Sequence, residues 1–138
     1  MKANELMIGD WVGRVFDDKR IDYRQVDWIR TGEIGMRYQK VWAIGCIEPI
    51  PLTAEILEKD GWERDIDKEW EYNNSHILPH YCYQWEKQNV KIEMYAGLKG
   101  FTISLIIGRR FYAVHELQHA LRLCGLDELA DNFKVYEK

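Results

Sequence analysis

Residues Phe101 to Gly125 read FTISLIIGRRFYAVHELQHALRLCG. The stretch opens as the most apolar run of the chain and closes as an amphipathic helix. At 100° per residue, Val114, Leu117, Ala120, Leu121 and Cys124 fall on one stripe. Gly125 stands where a helix ends in a left-handed residue. Leu126, Leu129, Ala130 and Phe133 predict a second short helix. A strand over Phe101–Ile107 that runs into such a helix predicts two layers, sheet and helix covering each other's apolar faces.

Upstream the period is two. Val90, Ile92 and Met94 alternate with Lys91 and Glu93, and Tyr81, Tyr83 and Trp85 alternate with Cys82, Gln84 and Glu86. Each set therefore shares one strand face. Ala96 to Gly100 reads as a hairpin connection, and Asn73-Asn74-Ser75 as a turn after Trp70 and Tyr72. A three- or four-stranded antiparallel sheet is expected.

Further back, Glu48-Pro49-Ile50-Pro51-Leu52 marks a boundary, because two prolines in three residues continue neither a helix nor a sheet interior. Thr53 then reads as an N-cap, Glu55 suits the first turn, and Gly61 ends the helix. Before the boundary, Met7 to Val12 reads as a tight turn feeding a strand. Three β-like runs follow near Tyr23–Ile29, Glu33–Gln39 and Val41–Ile47, parted by turn signals at Asp17-Asp18 and Thr31-Gly32. They predict a small barrel or rolled meander, SH3-like by analogy. The fold class is therefore α+β. A small β-barrel-like unit over 1–50 precedes an α+β unit over 51–138, with a helix near 53–60, antiparallel strands and a C-terminal helix near 113–124 that packs on them.

Composition narrows the function classes. Hydrophobic residues make up 46% of 138 and aromatics 13%, enough for a packed core and too much for a disordered chain. The formal net charge is −4, with both signs mixed, which argues against phosphate-driven nucleic-acid binding. The N-terminal MKANELMIGDW carries Glu5 and Asp10 and no apolar core, so no secretory leader is expected, and no run is long enough to span a membrane. Cys46, Cys82 and Cys124 are odd in number and never in C-x-x-C, which fits free thiols in a reducing cytoplasm.

Within the helix, His115-Glu116-Leu117-Gln118-His119 is a literal H-E-x-x-H. Imidazoles four apart on a helix point the same way and can grip one zinc ion, while Glu116 polarises a bound water. The same facts describe an exposed helix face, since both histidines lie nearly opposite Leu117 on the wheel. On that account both imidazoles are expected at the surface, near water, carboxylates or backbone, with Glu116 pointing elsewhere. Arg122 would put a fixed cation beside the metal, and it holds the position where the longer metzincin motif has a glycine. Asp127, Glu128 and Asp131 come after a one-glycine break, a short connection for bringing a third ligand back.

His76, His80 and Cys82 form a second candidate ligand group, but Pro79 interrupts it and the spacing matches no zinc finger. The stripe of Tyr81, Tyr83 and Trp85 could stack on sugars or bases, or be the inner face of a sheet. No phosphate loop and no nucleophile elbow occurs.

Three strings, MKANELMIGDWV, IEPIPLTAEILEKDGW and VHELQHALRLCG, together resemble a family of short uncharacterised proteins encoded by prophages and conjugative elements of gut anaerobic bacteria. The resemblance implies a cytoplasmic bacterial protein of mobile-element origin and carries over no catalytic residue, cofactor or partner. The expected function is that of a soluble, non-catalytic accessory or interaction protein with no cofactor, no membrane and a protein partner. A zinc-dependent hydrolase using His115, His119 and Glu116 is the alternative. A nucleic-acid or carbohydrate binder using the aromatic face is the third.

Overall fold

A computed structural model describes residues 5–37, 40–65, 82–95, 100–103 and 106–135. These residues form an α+β chain with two antiparallel sheets, of four and five strands. The chain divides into two compact units. One combines Met1–Pro51 with Ala113–Val135, and the other is built on Leu52–Tyr112. Among the described residues no helix is long and apolar enough to cross a membrane.

The first unit begins as a meander of β1 (Trp11–Val15), β2 (Ile21–Arg30), β3 (Glu33–Met36) and β4 (Lys40–Ala43), in that spatial order. Alternation puts Val12, Val26, Ile34, Met36 and Trp42 inside, where they cluster with Leu6 and Ile47. After β4 a single 3₁₀ turn, Ile44–Cys46, redirects the chain to β1. There the Gly13 N–H donates to the Glu48 carbonyl at 2.9 Å and the Glu48 N–H to the Gly13 carbonyl at 2.8 Å. The rolled meander thus returns to its first strand through one antiparallel bridge.

A bulge between Val26 and Trp28 tips the Trp28 indole across β3. A Cβ on Gly35 would lie 1.9 Å from Trp28 Cε2, so only glycine leaves room for the ring.

The sequence assigned the C-terminal helix to the second sheet, because the last strand runs straight into it. The structure corrects that. α2 (Val114–Leu123) and α3 (Asp127–Asp131) belong to the first unit. The chain re-enters this unit where Ala113 bridges to Pro51 and the Val114 N–H donates to the Ile50 carbonyl. Val114, Leu117, Ala120 and Leu121 of α2 are buried, as their stripe predicts, but so are His115 and Gln118.

The second unit opens with α1 (Ala54–Lys59), capped by the Thr53 hydroxyl, which accepts from the Ile56 N–H at 3.2 Å. Gly61 ends it at φ +92°. The sheet follows in the order β5 (Glu63–Arg64), β6 (Cys82–Lys87), β7 (Val90–Tyr95), β8 (Phe101–Ile103), β9 (Ile106–Phe111). Gln88 and Asn89 both have positive φ, 49° and 65°, as a two-residue hairpin between right-twisted strands requires. Trp85, Ile92, Phe101 and Ile103 are buried, with Trp85 paired to Ile92 and Ile92 to Ile103. The apolar run expected as one strand is two. Ile103 pairs with Ile106 across antiparallel β8 and β9, although the sequence between them offers Ser104 and no Gly, Pro or Asn. The Asn73–Ser75 turn and residues 96–99 of the expected hairpin connection lie outside the described residues.

Leu117 is fully buried, and Leu117→Ala is expected to cost about 2–5 kcal/mol through lost burial and a residual cavity. An unchanged denaturant midpoint would contradict its placement. Gly35→Ala should also lower the midpoint. That penalty should shrink in a Trp28→Leu background, because the clash is with the indole.

Candidate functional site

Met7-Ile8-Gly9-Asp10-Trp11 forms the predicted turn, with the Asp10 N–H donating to the Met7 carbonyl at 3.1 Å. Gly9 adopts φ +93°, and a Cβ there would lie 3.0 Å from Arg122 Nη2. The turn is tied to the first sheet, as the Gly9 N–H donates to the Val26 carbonyl and the Val26 N–H to that of Asp10.

The turn delivers the Asp10 carboxylate to a fully buried position. A buried carboxylate is tolerated only with charged or hydrogen-bonding partners, and Asp10 has three. Its Oδ2 accepts from the Met7 N–H at 2.8 Å and meets His119 Nε2 at 2.6 Å. Its Oδ1 accepts from Arg122 Nη1 at 2.7 Å. Arg122 also reaches the Ile8 carbonyl at 3.3 Å and Asp131 Oδ1 at 3.2 Å. The contact with His119 is an ion pair when the imidazole is protonated, and otherwise a hydrogen bond from its Nε2–H.

Gln118 sits at the centre of a second set of bonds. Its Oε1 accepts from the Trp11 N–H, and its Nε2 donates to the carbonyls of Gly9 and Ala130, all at 2.9 Å. The Gly9 carbonyl also accepts from Gln25 Nε2 at 3.0 Å, and the Trp11 indole N–H donates to the Phe133 carbonyl at 2.6 Å. The N-terminal turn, α2 and α3 are thereby sewn together by buried polar groups.

The H-E-x-x-H residues take distinct places. Glu116 Oε1 accepts from the Ala113 N–H at 3.0 Å, half of a capping box at the start of α2. His119 is directed to Asp10. His115 was expected at the surface and is instead 8% exposed. Its ring meets that of His119 edge-on at 5.6 Å, and its Nδ1 has no hydrogen-bond partner among the described residues. The helical wheel missed this because it cannot see the N-terminal turn and α3 covering the side opposite Leu117. Arg122, read from sequence as a repulsive neighbour to a metal, is the partner of a carboxylate. Among the described residues no group of three His, Cys, Asp or Glu converges to hold a metal ion. His76 and His80 lie outside the described residues, and Cys82 opens β6.

The aromatic stripe divides. Trp85 is 1% exposed and packs on Phe101 at 5.7 Å, so it belongs to the core and offers no face to a ligand. Tyr83 is half-buried, stacked on Trp85 at 6.4 Å with the Arg64 guanidinium 5.3 Å from its ring. Tyr81 lies outside the described residues.

The sequence reading missed Asp10 and Gln118. Asp10 looked like an ordinary turn residue. Gln118 left a signal: four residues after Val114 and three before Leu121, it continues the apolar stripe on its Val114 side. A polar side chain in such a stripe is either an error or a hub.

Burial lowers the His115 pKa from the ordinary 6.5, and the neighbouring His119 adds to this, while Asp10, Glu116 and Glu5 pull the other way. The unfolded chain therefore takes up the proton first. This site's contribution to stability is full above the ordinary histidine range and is lost as pH falls through it toward the lowered value. His115→Phe should flatten that part of a stability–pH curve. Asp10→Ala strands Arg122 beside a cavity and is expected to cost about 3–5 kcal/mol. Asp131→Ala, at a 54% exposed side chain, should cost under about 1 kcal/mol. Equal effects of the two in denaturant titrations would show that Asp10 does not anchor the unit.

Comparison with known proteins adds no relative: no family model, no curated protein and no solved structure matches the chain.

Proposed function

We propose that this chain works by binding a partner protein rather than by catalysis, as a soluble cytoplasmic accessory protein of a mobile element. The observation that carries the reading is the use made of the H-E-x-x-H residues. Glu116 caps its own helix, and His119 shares the Asp10 carboxylate with Arg122. A hydrolase would need both of these groups free for an ion and its water. Engaging them would uncap α2 and loosen a buried ion pair in the same step. The small rolled sheet, the family resemblance of the three sequence strings and the mixed surface charge fit a binding module.

The zinc hydrolase is kept as the second reading for one reason, the buried and unpartnered Nδ1 of His115 beside His119. Two imidazoles supply half of a tetrahedral shell, and a catalytic zinc ordinarily has three protein ligands.

Elemental analysis after chelator-free purification separates the two. The expected result is well under one zinc per chain, unchanged in His115→Ala and His119→Gln. One zinc per native chain, absent from both variants, would put the hydrolase first.

A further inference from the structure

The turn between β1 and β2 is closed by the Phe16 N–H donating to the Arg20 carbonyl and the Lys19 N–H to the Phe16 carbonyl, both at 2.8 Å. Lys19 takes φ +65° at its tip, and Asp18 Oδ1 accepts from the Arg20 N–H at 3.1 Å. This fixed turn brings two arginines to one ring. Arg14 Cζ and Arg20 Cζ each lie 4.6 Å from the Phe16 centroid, so the two are at most twice that distance apart. Arg14 also lies 6.0 Å from the ring of Trp42, a buried residue that gives the group a rigid base.

These two guanidiniums differ from others in the same unit. Arg24 is paired with Asp22, and Arg122 with Asp10 and Asp131. Neither Arg14 nor Arg20 forms an ion pair among the described residues. Stacking uses the face of a guanidinium and leaves its in-plane N–H fork, the part that matches a carboxylate, unused. Two like charges held at one ring, with no ion-pair partner among the described residues, form a site that an anion would relieve.

We propose that this turn is an acidic-peptide docking site, with Arg14 and Arg20 receiving carboxylates of an extended segment of a partner protein across the exposed part of Phe16. The proposal rests on the binding reading above and names the chemistry of the partner. A nucleic acid fits less well. Phosphate-backbone binding draws its strength from many such contacts, and this turn offers two guanidiniums. A short acidic segment needs only two.

The test is a titration of the full-length ¹⁵N-labelled chain with an acetylated, amidated hexaglutamate, following the arginine Nε–Hε signals. Those of Arg14 and Arg20 should shift saturably, and the affinity should fall several-fold on added salt. Arg14→Gln/Arg20→Gln should lose at least about tenfold in affinity. Arg20→Gln alone, at an exposed side chain, should lose part of it with an unchanged melting temperature, which covers the case of a misfolded double variant. Arg20→Lys should also weaken binding, although charge is kept, because lysine lacks the fork. No saturable shift, equal binding by Arg20→Gln, or tighter binding of inorganic phosphate or a single-stranded oligonucleotide would each overturn the proposal. None of these outcomes bears on zinc content, so the docking site can fail while the binding reading stands.

Discussion

The Asp10 carboxylate is the point on which the first unit turns. It is fully buried, and its charge is balanced by Arg122 and His119 on α2, with the Met7 N–H completing the set. A lone carboxylate in that position would be expelled to water or would stay protonated. The ion pair therefore does more than add attraction. It makes the buried placement of the turn conditional on α2 being docked, and it punishes any register in which Arg122 points elsewhere. Buried pairs seldom add much net stability compared with apolar residues of the same shape, but breaking one is costly. That asymmetry suits a contact that specifies one arrangement of two chain segments far apart in sequence.

Gln118 performs the same task without charge. Its three bonds tie backbone groups of the N-terminal turn, β1 and α3 to one buried side chain, and an apolar replacement would break all three at once. Unpaired buried amides and carbonyls cost more than the hydrogen bond itself is worth. Gln118 and His119, the partner of Asp10, are neighbours on α2, and His115 beside them carries the one buried nitrogen of the group left without a partner among the described residues. A network satisfied everywhere but at one atom is where a proton from acidic solution does the most damage.

Much of this was legible in the sequence. Period-two runs located the strands of both sheets, the Thr53 cap and Gly61 stop located α1, and the 3.6-residue stripe located α2 with its buried Leu117 and Leu121. Two kinds of information were not legible. A local pattern says which face of α2 is apolar but not which unit the helix joins, and chain adjacency pointed to the other one. The division of the last apolar run into β8 and β9 falls where β propensity is high on both sides and Ser104 is the one weak turn signal. At the site, the motif drew attention to the residues that matter, but for a chemistry they do not arrange. The pattern H-E-x-x-H is silent about Asp10, more than a hundred residues away, whose carboxylate gives His119 and Arg122 their role.

The division of the first unit between two distant stretches of chain also bears on synthesis. Residues up to Pro51 leave the ribosome early, whereas Arg122 is separated from Asp10 by 112 positions. At roughly 5–20 residues per second, the turn and its sheet wait several seconds for the helix that neutralises Asp10. Meanwhile the intervening stretch from Leu52 to Tyr112 has all of its own strands and can complete its sheet. The segment second in sequence is thus free to fold first, and closure of the unit built from the two flanking stretches comes last. Contacts of such long range make that final step slow for a chain of this size. Until it happens, the apolar side of the early meander is exposed to whatever else is nearby.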